Sequence, residues 1–176
     1  IRKVGSNKMK QMKYKKQIQL IAAIVTLIVF PVITFYLMEA YTHNPFEEVR
    51  PWAQFFNILL FELLAWIFVS VTGKIQSGLR IELVTAMIYG IANAYVVRFR
   101  TNPIVPWDIF SWKTAASVAS NYDFKPDIRM IVVTLAFLGM IVLLQFVKTG
   151  MPKFQLWKRL IPAGACCIVL VLFVNL

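Results

Sequence analysis

Charge is scarce in this chain, and acid is scarcest. Of 176 residues only 15% are charged, with eight acidic against nineteen basic. Soluble domains carry about 25% charged and about 45–50% apolar residues, so this composition excludes an ordinary water-soluble globule. One histidine, His43, excludes a His-based metal cluster, and the few carboxylates are too scattered to assemble a divalent-cation site. The two cysteines, Cys166 and Cys167, are neighbours in sequence. Side chains one apart on a helix diverge by about 100°, so they read as small packing residues and not as a local disulfide. A glycine-rich phosphate loop is missing, as are internal repeats and the inverted pair of broken helices that marks many transporters.

Apolar residues, by contrast, are abundant. They make up 59% of the chain and the mean hydropathy is +0.68, which excludes a disordered tail. The net charge of +11 invites a nucleic-acid reading. The basic residues lie between long apolar runs, however, and that pattern belongs to membrane topology. A helix crossing a ~30 Å hydrocarbon core needs roughly 20 apolar residues. Five stretches meet or approach this length: 18–38, 52–72, 81–97, 130–147 and 160–176. The short alternating segments of a membrane β-barrel are absent. The expected fold is an all-α integral membrane bundle of five transmembrane helices behind a basic leader, residues 1–17. That leader is followed by too long an apolar stretch, without a cleavage site, to be a signal peptide.

Lys and Arg set the direction. Leader, second connection and fourth connection hold thirteen; the first and third connections hold six. The positive-inside rule places the leader in the cytoplasm, and five crossings then bring the C-terminus outside. Glu47 and Glu48 in the first loop agree, and Tyr36, Tyr41, Trp52 and Trp157 suit interfacial positions. The seven leader cations would also be drawn to anionic lipid. A start at Ile1 and an end inside an apolar run suggest a segment of a longer polypeptide.

On this topology Glu39, Asn57, Asn93, Arg98 and Arg100 share one depth, near the outer interface, on three different spans. Ionisable groups within a membrane face a partner or a cavity, so a common depth suggests one polar pocket of headgroup size. Duller readings stay open: Arg98 and Arg100 snorkelling, Glu39 ending a helix in water, the two asparagines joining helices. Glu62 falls near mid-membrane, where function and packing weigh equally. Glu82 reads as a solvated partner of Arg80. Ala86, Gly90 and Ala94 form a small-residue row for close helix packing, Pro31 is a kink position in span one, and Pro162 falls in the first turn of span five. In the long loop 98–129, Pro103 and Pro106 hold the chain extended. Asp108 is the expected N-cap of an amphipathic interfacial helix over 108–121, with Ile109, Trp112, Ala116 and Ala119 on one face.

Taken together, the basic leader, Glu39, Asn57, Asn93-Ala-Tyr-Val-Val-Arg-Phe-Arg, Asn102-Pro-Ile-Val-Pro-Trp-Asp and Tyr122 resemble the membrane domain of the lipoteichoic acid synthase family. These are bacterial phosphoglycerol transferases of the sulfatase and alkaline-phosphatase superfamily, and the most specific stretch runs from Asn93 to Asp108. The resemblance implies a bacterial cell-membrane protein with five helices and a large extracellular catalytic domain after residue 176. It implies phosphatidylglycerol as the lipid partner and glycerol phosphate as the transferred group. It also implies a threonine nucleophile and a divalent metal, manganese or magnesium, in that external domain. No catalytic residue or cofactor site is therefore assigned within this chain. Arg98 and Arg100 are expected to hold the lipid phosphate, with Glu39, Asn57, Asn93, Tyr95 and Asp108 orienting the arginines or the glycerol hydroxyls. Related phosphoethanolamine transferases and sulfatases share the layout. A five-helix membrane scaffold or small transporter without an external domain is the non-enzymatic alternative.

Overall fold

The computed structural model describes residues 2–111, 113, 124–147 and 156–174. Among these the secondary structure is helical throughout: α1 (Arg2–Glu39), α2 (Pro45–Glu48), α3 (Pro51–Thr72), α4 (Ile75–Arg100), a 3-10 turn (Pro106–Ser111), α5 (Ile128–Phe146) and α6 (Leu156–Val174). Among the described residues four helices are long and apolar enough to cross a membrane, as in a multi-pass membrane protein: α1 from Gln11, α3, α4 and α5. The fifth expected span, 160–176, overlaps α6, a 19-residue helix packed on α3 that is not among these four.

Several boundaries differ from expectation. The basic leader continues the first span as one helix, because nothing between Arg2 and Glu39 interrupts helical hydrogen bonding except Pro31, which the helix runs through. The third span begins at Ile75 and ends at Arg100, longer at both ends than its apolar run. Helix α6 starts at Leu156, so Pro162 lies inside it and not in its first turn. Asp108 does not cap an α-helix but lies within the 3-10 turn. Lys113 is helical, and the rest of the expected interfacial helix, Trp112 and 114–121, falls outside the described residues.

Helices α1, α3, α4 and α5 pack around Phe35, Ala65, Leu79, Leu83, Phe137 and Leu144, all fully buried. Outward lie Ile24, Ile28, Leu59, Val84, Ile88, Val132, Leu135 and Leu143, large apolar side chains that hydrocarbon solvates and water does not. Close approach of α3 and α4 depends on Gly78: a Cβ there would sit 2.5 Å from the Val69 backbone nitrogen. Their connection turns at Gly73, left-handed at φ 67°, with its N–H closing on the Val69 carbonyl.

Side-chain amides tie both ends of the bundle. Where α1 ends and α3 begins, Gln54 donates to the Pro45 and Val49 carbonyls at 2.9 and 2.7 Å and accepts from the Tyr36 hydroxyl. At the opposite end Gln76 donates to the Leu144 and Val147 carbonyls, covering acceptors that the last turn of α5 leaves unpaired. Inside, the Tyr41 hydroxyl meets Thr134 at 2.9 Å while its ring stacks on Phe137 and lies against Gly90. The small-residue row of α4 thus packs against the end of α1.

Candidate functional site

Two polar regions emerge, and the expected site residues divide between them. The first gathers at the C-terminal end of α4. Asn93 stands two turns before that end, and its Oδ1 accepts the Ile104 N–H at 2.8 Å, folding the following loop back onto the helix. Thr101 ends α4 in the left-handed region at φ 65°. Just before it Arg100 donates to both oxygens of Asp108 and, at 2.8 Å, to the Pro103 carbonyl. Asp108 also accepts the Val105 N–H. The Arg100 guanidinium, followed by the Val105 N–H, lowers the Asp108 carboxyl from its usual 3.8 to about 2, because both donors favour the ionised form. The turn Asn102–Asp108 is therefore clasped to α4 through Asn93, which holds Ile104, and through Arg100, which holds Pro103 and Asp108.

Arg98 turns the other way, as two residues on one helix diverge. Its Nη2 meets Asp127 at 2.7 Å and its Nη1 donates to the Lys125 carbonyl. The guanidinium also stands 5.8 Å from the centre of the Tyr95 ring, within cation–π range. The Tyr95 hydroxyl donates to the Phe124 carbonyl at 2.7 Å, and the Tyr95, Phe99 and Phe124 rings pack together. Asp127 spends its second oxygen capping α5 through the Met130 N–H. Beside it, Arg129 donates to the Thr42 carbonyl at the rim of an apolar groove of about 500 Å³ between α1 and α5.

The second region is a cavity of about 420 Å³ between α3 and α4, closed by the end of α1. Glu39 and Asn57 line it, whereas Asn93, Tyr95, Arg98, Arg100 and Asp108 do not. Its α3 wall is Asn57, Leu60, Phe61, Leu64 and Phe68, spaced as one helical face. Its α4 wall is Glu82, Thr85, Ala86 and Tyr89. Glu39 has a partner, His43, at 3.0 Å. Glu82 is not the solvated partner of Arg80 that its position suggested: it is 2% exposed, and neither carboxyl oxygen has a hydrogen-bond partner. Glu62 on α3 lies within electrostatic reach of it.

Sequence reasoning passed over Thr85, Tyr89, Asp127 and Arg129, and set Glu82 at the interface. A signal for Glu82 existed: Gly78, Glu82, Ala86, Gly90 and Ala94 are each four apart, so Glu82 belongs to the packing row, not to the interface. Asp127 stands directly before an apolar run, the position of an N-cap. Among the described residues no group of three or more His, Cys, Asp or Glu side chains is placed to hold a metal ion. Comparison with models of known families, with curated proteins and with solved structures finds nothing that matches the chain.

Proposed function

We propose that this chain is the membrane domain of a phosphoglycerol transferase of the bacterial cell membrane, resembling lipoteichoic acid synthases. In this reading the leader is cytoplasmic, α6 makes a fifth crossing, and an extracellular catalytic domain follows. The end of α4 presents phosphatidylglycerol to it. The observation that carries the reading is the clasp itself: the stretch from Asn93 to Asp108, the most specific part of the resemblance, is bound into one hydrogen-bonded unit around Arg100.

The number of bonds each donates distinguishes the roles of the two arginines. Arg100 is neutralised by Asp108 and donates at four points, to Asp108, Pro103 and Asn102, so it holds the loop. At the α4–α5 corner Arg98 pairs with Asp127, and Lys125 and Arg129 flank that carboxylate in sequence. A guanidinium carries five N–H donors, and Arg98 gives two of them to Lys125 and Asp127. The remaining fork is suited to a phosphate through paired charge-assisted bonds. Metal and nucleophile belong to the external domain, and no step is assigned to them here.

The test is turnover of phosphatidylglycerol by the full-length protein. Arg98→Gln is expected to lower turnover at least about tenfold, the equivalent of one charge-assisted bond near 1.4 kcal/mol, and Arg98→Lys by less. Unchanged kinetics in a normally folded Arg98→Gln protein removes the substrate role. Reading the coding sequence past Leu176 tests the architecture: several hundred soluble residues are expected there. The acid-lined cavity favours a second reading, a small transporter without an external domain, and a stop codon directly after Leu176 would select it.

A further inference from the structure

Helix α1 packs closely on α3 and α4 but only sparingly on α5, and the gap between them is the groove of about 500 Å³ whose rim carries Arg129. Polarity is sorted along it. Ile33, Leu37 and Ala40 recur at helical spacing on the α1 wall, opposite Val132 on α5. His43, Asn44 and Arg129 gather at the mouth, where α1 has ended and α5 begins. That mouth offers donors. Arg129 is exposed and, among the described residues, gives one N–H, to the Thr42 carbonyl at 3.1 Å. The bond runs from α5 to the turn after α1 and so holds the guanidinium across the opening, with most of its five N–H donors still to place. The Asn44 Oδ1 already accepts the Phe46 N–H, which leaves its NH2 group to donate. The carboxylates of this end are engaged: Glu39 with His43, Glu48 with the Asn44 N–H, Asp127 with Arg98 and the Met130 N–H. The mouth therefore favours an anion over an ammonium.

Shape narrows the occupant. From Ile33 to Ala40 the groove runs about two helical turns, roughly 10 Å. A partner helix is itself about 10 Å across and buries an apolar stripe over several turns, so this groove is short for one and sets an unmatched cation at its end. A single hydrocarbon chain ending in a phosphate matches both halves. We infer that the α1–α5 groove seats an acidic glycerophospholipid, one acyl chain between Ile33, Leu37 and Val132 and its phosphate on Arg129 and Asn44. Arg98 and Arg100 line no part of the groove, so the inference is independent of the phosphoglycerol transferase reading.

The experiment counts lipids bound to the full-length protein by native mass spectrometry from a neutral detergent. The probes are dioleoyl phosphatidylglycerol, dioleoyl phosphatidylcholine and glycerol 3-phosphate. Every protein is measured with and without Arg98→Gln, so that a lipid held at the α4–α5 corner is told apart from one in the groove. In the Arg98→Gln background one saturable phosphatidylglycerol is expected, bound at least about tenfold more tightly than phosphatidylcholine. Adding Arg129→Gln is expected to abolish that preference. Val132→Trp, which fills the groove, is expected to weaken both lipids, and glycerol 3-phosphate is expected to displace neither. Equal affinity for the two lipids, a preference unchanged by Arg129→Gln, or binding undiminished in Val132→Trp overturns the proposal. Displacement by glycerol 3-phosphate marks a phosphate site without a chain and overturns it too. So does loss of the preference on Arg98→Gln alone, or a dimer that Val132→Trp dissociates, which places a second copy in the groove. Arg129 and Val132 are both exposed, so their variants are expected to fold.

Discussion

The end of α4 and the cavity beneath it differ in one buried carboxyl. At the α4 end Arg98, Arg100, Asn93, Tyr95 and Asp108 all have partners within the chain. In the cavity Glu82 has none. The first region is a paired network that orders a loop; the second keeps one unpaired carboxyl inside a packed bundle. A satisfied network rigidifies its surroundings, whereas an unsatisfied buried group costs the folded state stability.

The strongest way to break the contrast is to force α3 and α4 apart. Gly78→Ala puts a methyl group 2.5 Å from the Val69 backbone, where no side-chain rotation relieves it. A loss on the order of 3 kcal/mol in detergent unfolding is expected, the upper end of overpacking, with the Arg100 clasp left intact. The reverse change sharpens it: Glu82→Leu removes the partnerless carboxyl and is expected to stabilise by about 2 kcal/mol in the same measurement. A smaller loss follows at the corner of the arginine network. Asp127→Ala removes both the α5 cap and the Arg98 partner and should cost about 1 kcal/mol; Asp127→Asn keeps the cap and should cost less than half of that, since the pair is solvent-accessible. Thr101→Asn places a residue tolerant of positive φ at the end of α4 and is expected to gain up to about 1 kcal/mol.

The last test is spectroscopic. The Asp108 carboxyl is lowered in the folded chain to about 2 from the usual 3.8, so the clasp is complete above 3.8. It is released as pH falls through about 2, when the carboxyl takes up its proton. Fluorescence of the adjacent Trp107 is expected to follow that lower midpoint, and the change should vanish in Asp108→Asn.

Much of the helical scaffold was legible because span length and apolar content are dictated by the bilayer alone. The ends of the helices were not. The Lys-rich leader carries no proline, and its one glycine, Gly5, does not end the helix, so helix extends through it although its hydropathy falls. The shared depth of Glu39, Asn57, Asn93, Arg98 and Arg100 was a sound reason to group them, yet depth leaves out the angle around each helix. Glu39 and Asn57 face the α3–α4 cavity, Arg100 faces its own loop, and Arg98 faces α5. Glu82 shows the opposite failure. Its neighbour Arg80 suggested a solvated pair, but four-residue spacing from Gly78 and Ala86 sets its direction into the bundle.

The uninterrupted first helix has a mechanical corollary. Its 38 residues make a rod about 57 Å long at about 1.5 Å per residue, nearly twice the thickness of a ~30 Å hydrocarbon core. The surplus stands clear of the bundle as a stiff mast carrying Lys13, Lys15 and Lys16, all exposed. A mast transmits torque where a floppy tail would absorb it, so a push on those lysines, by lipid or by another molecule, turns the same rod whose far tip, Glu39, roofs the α3–α4 cavity.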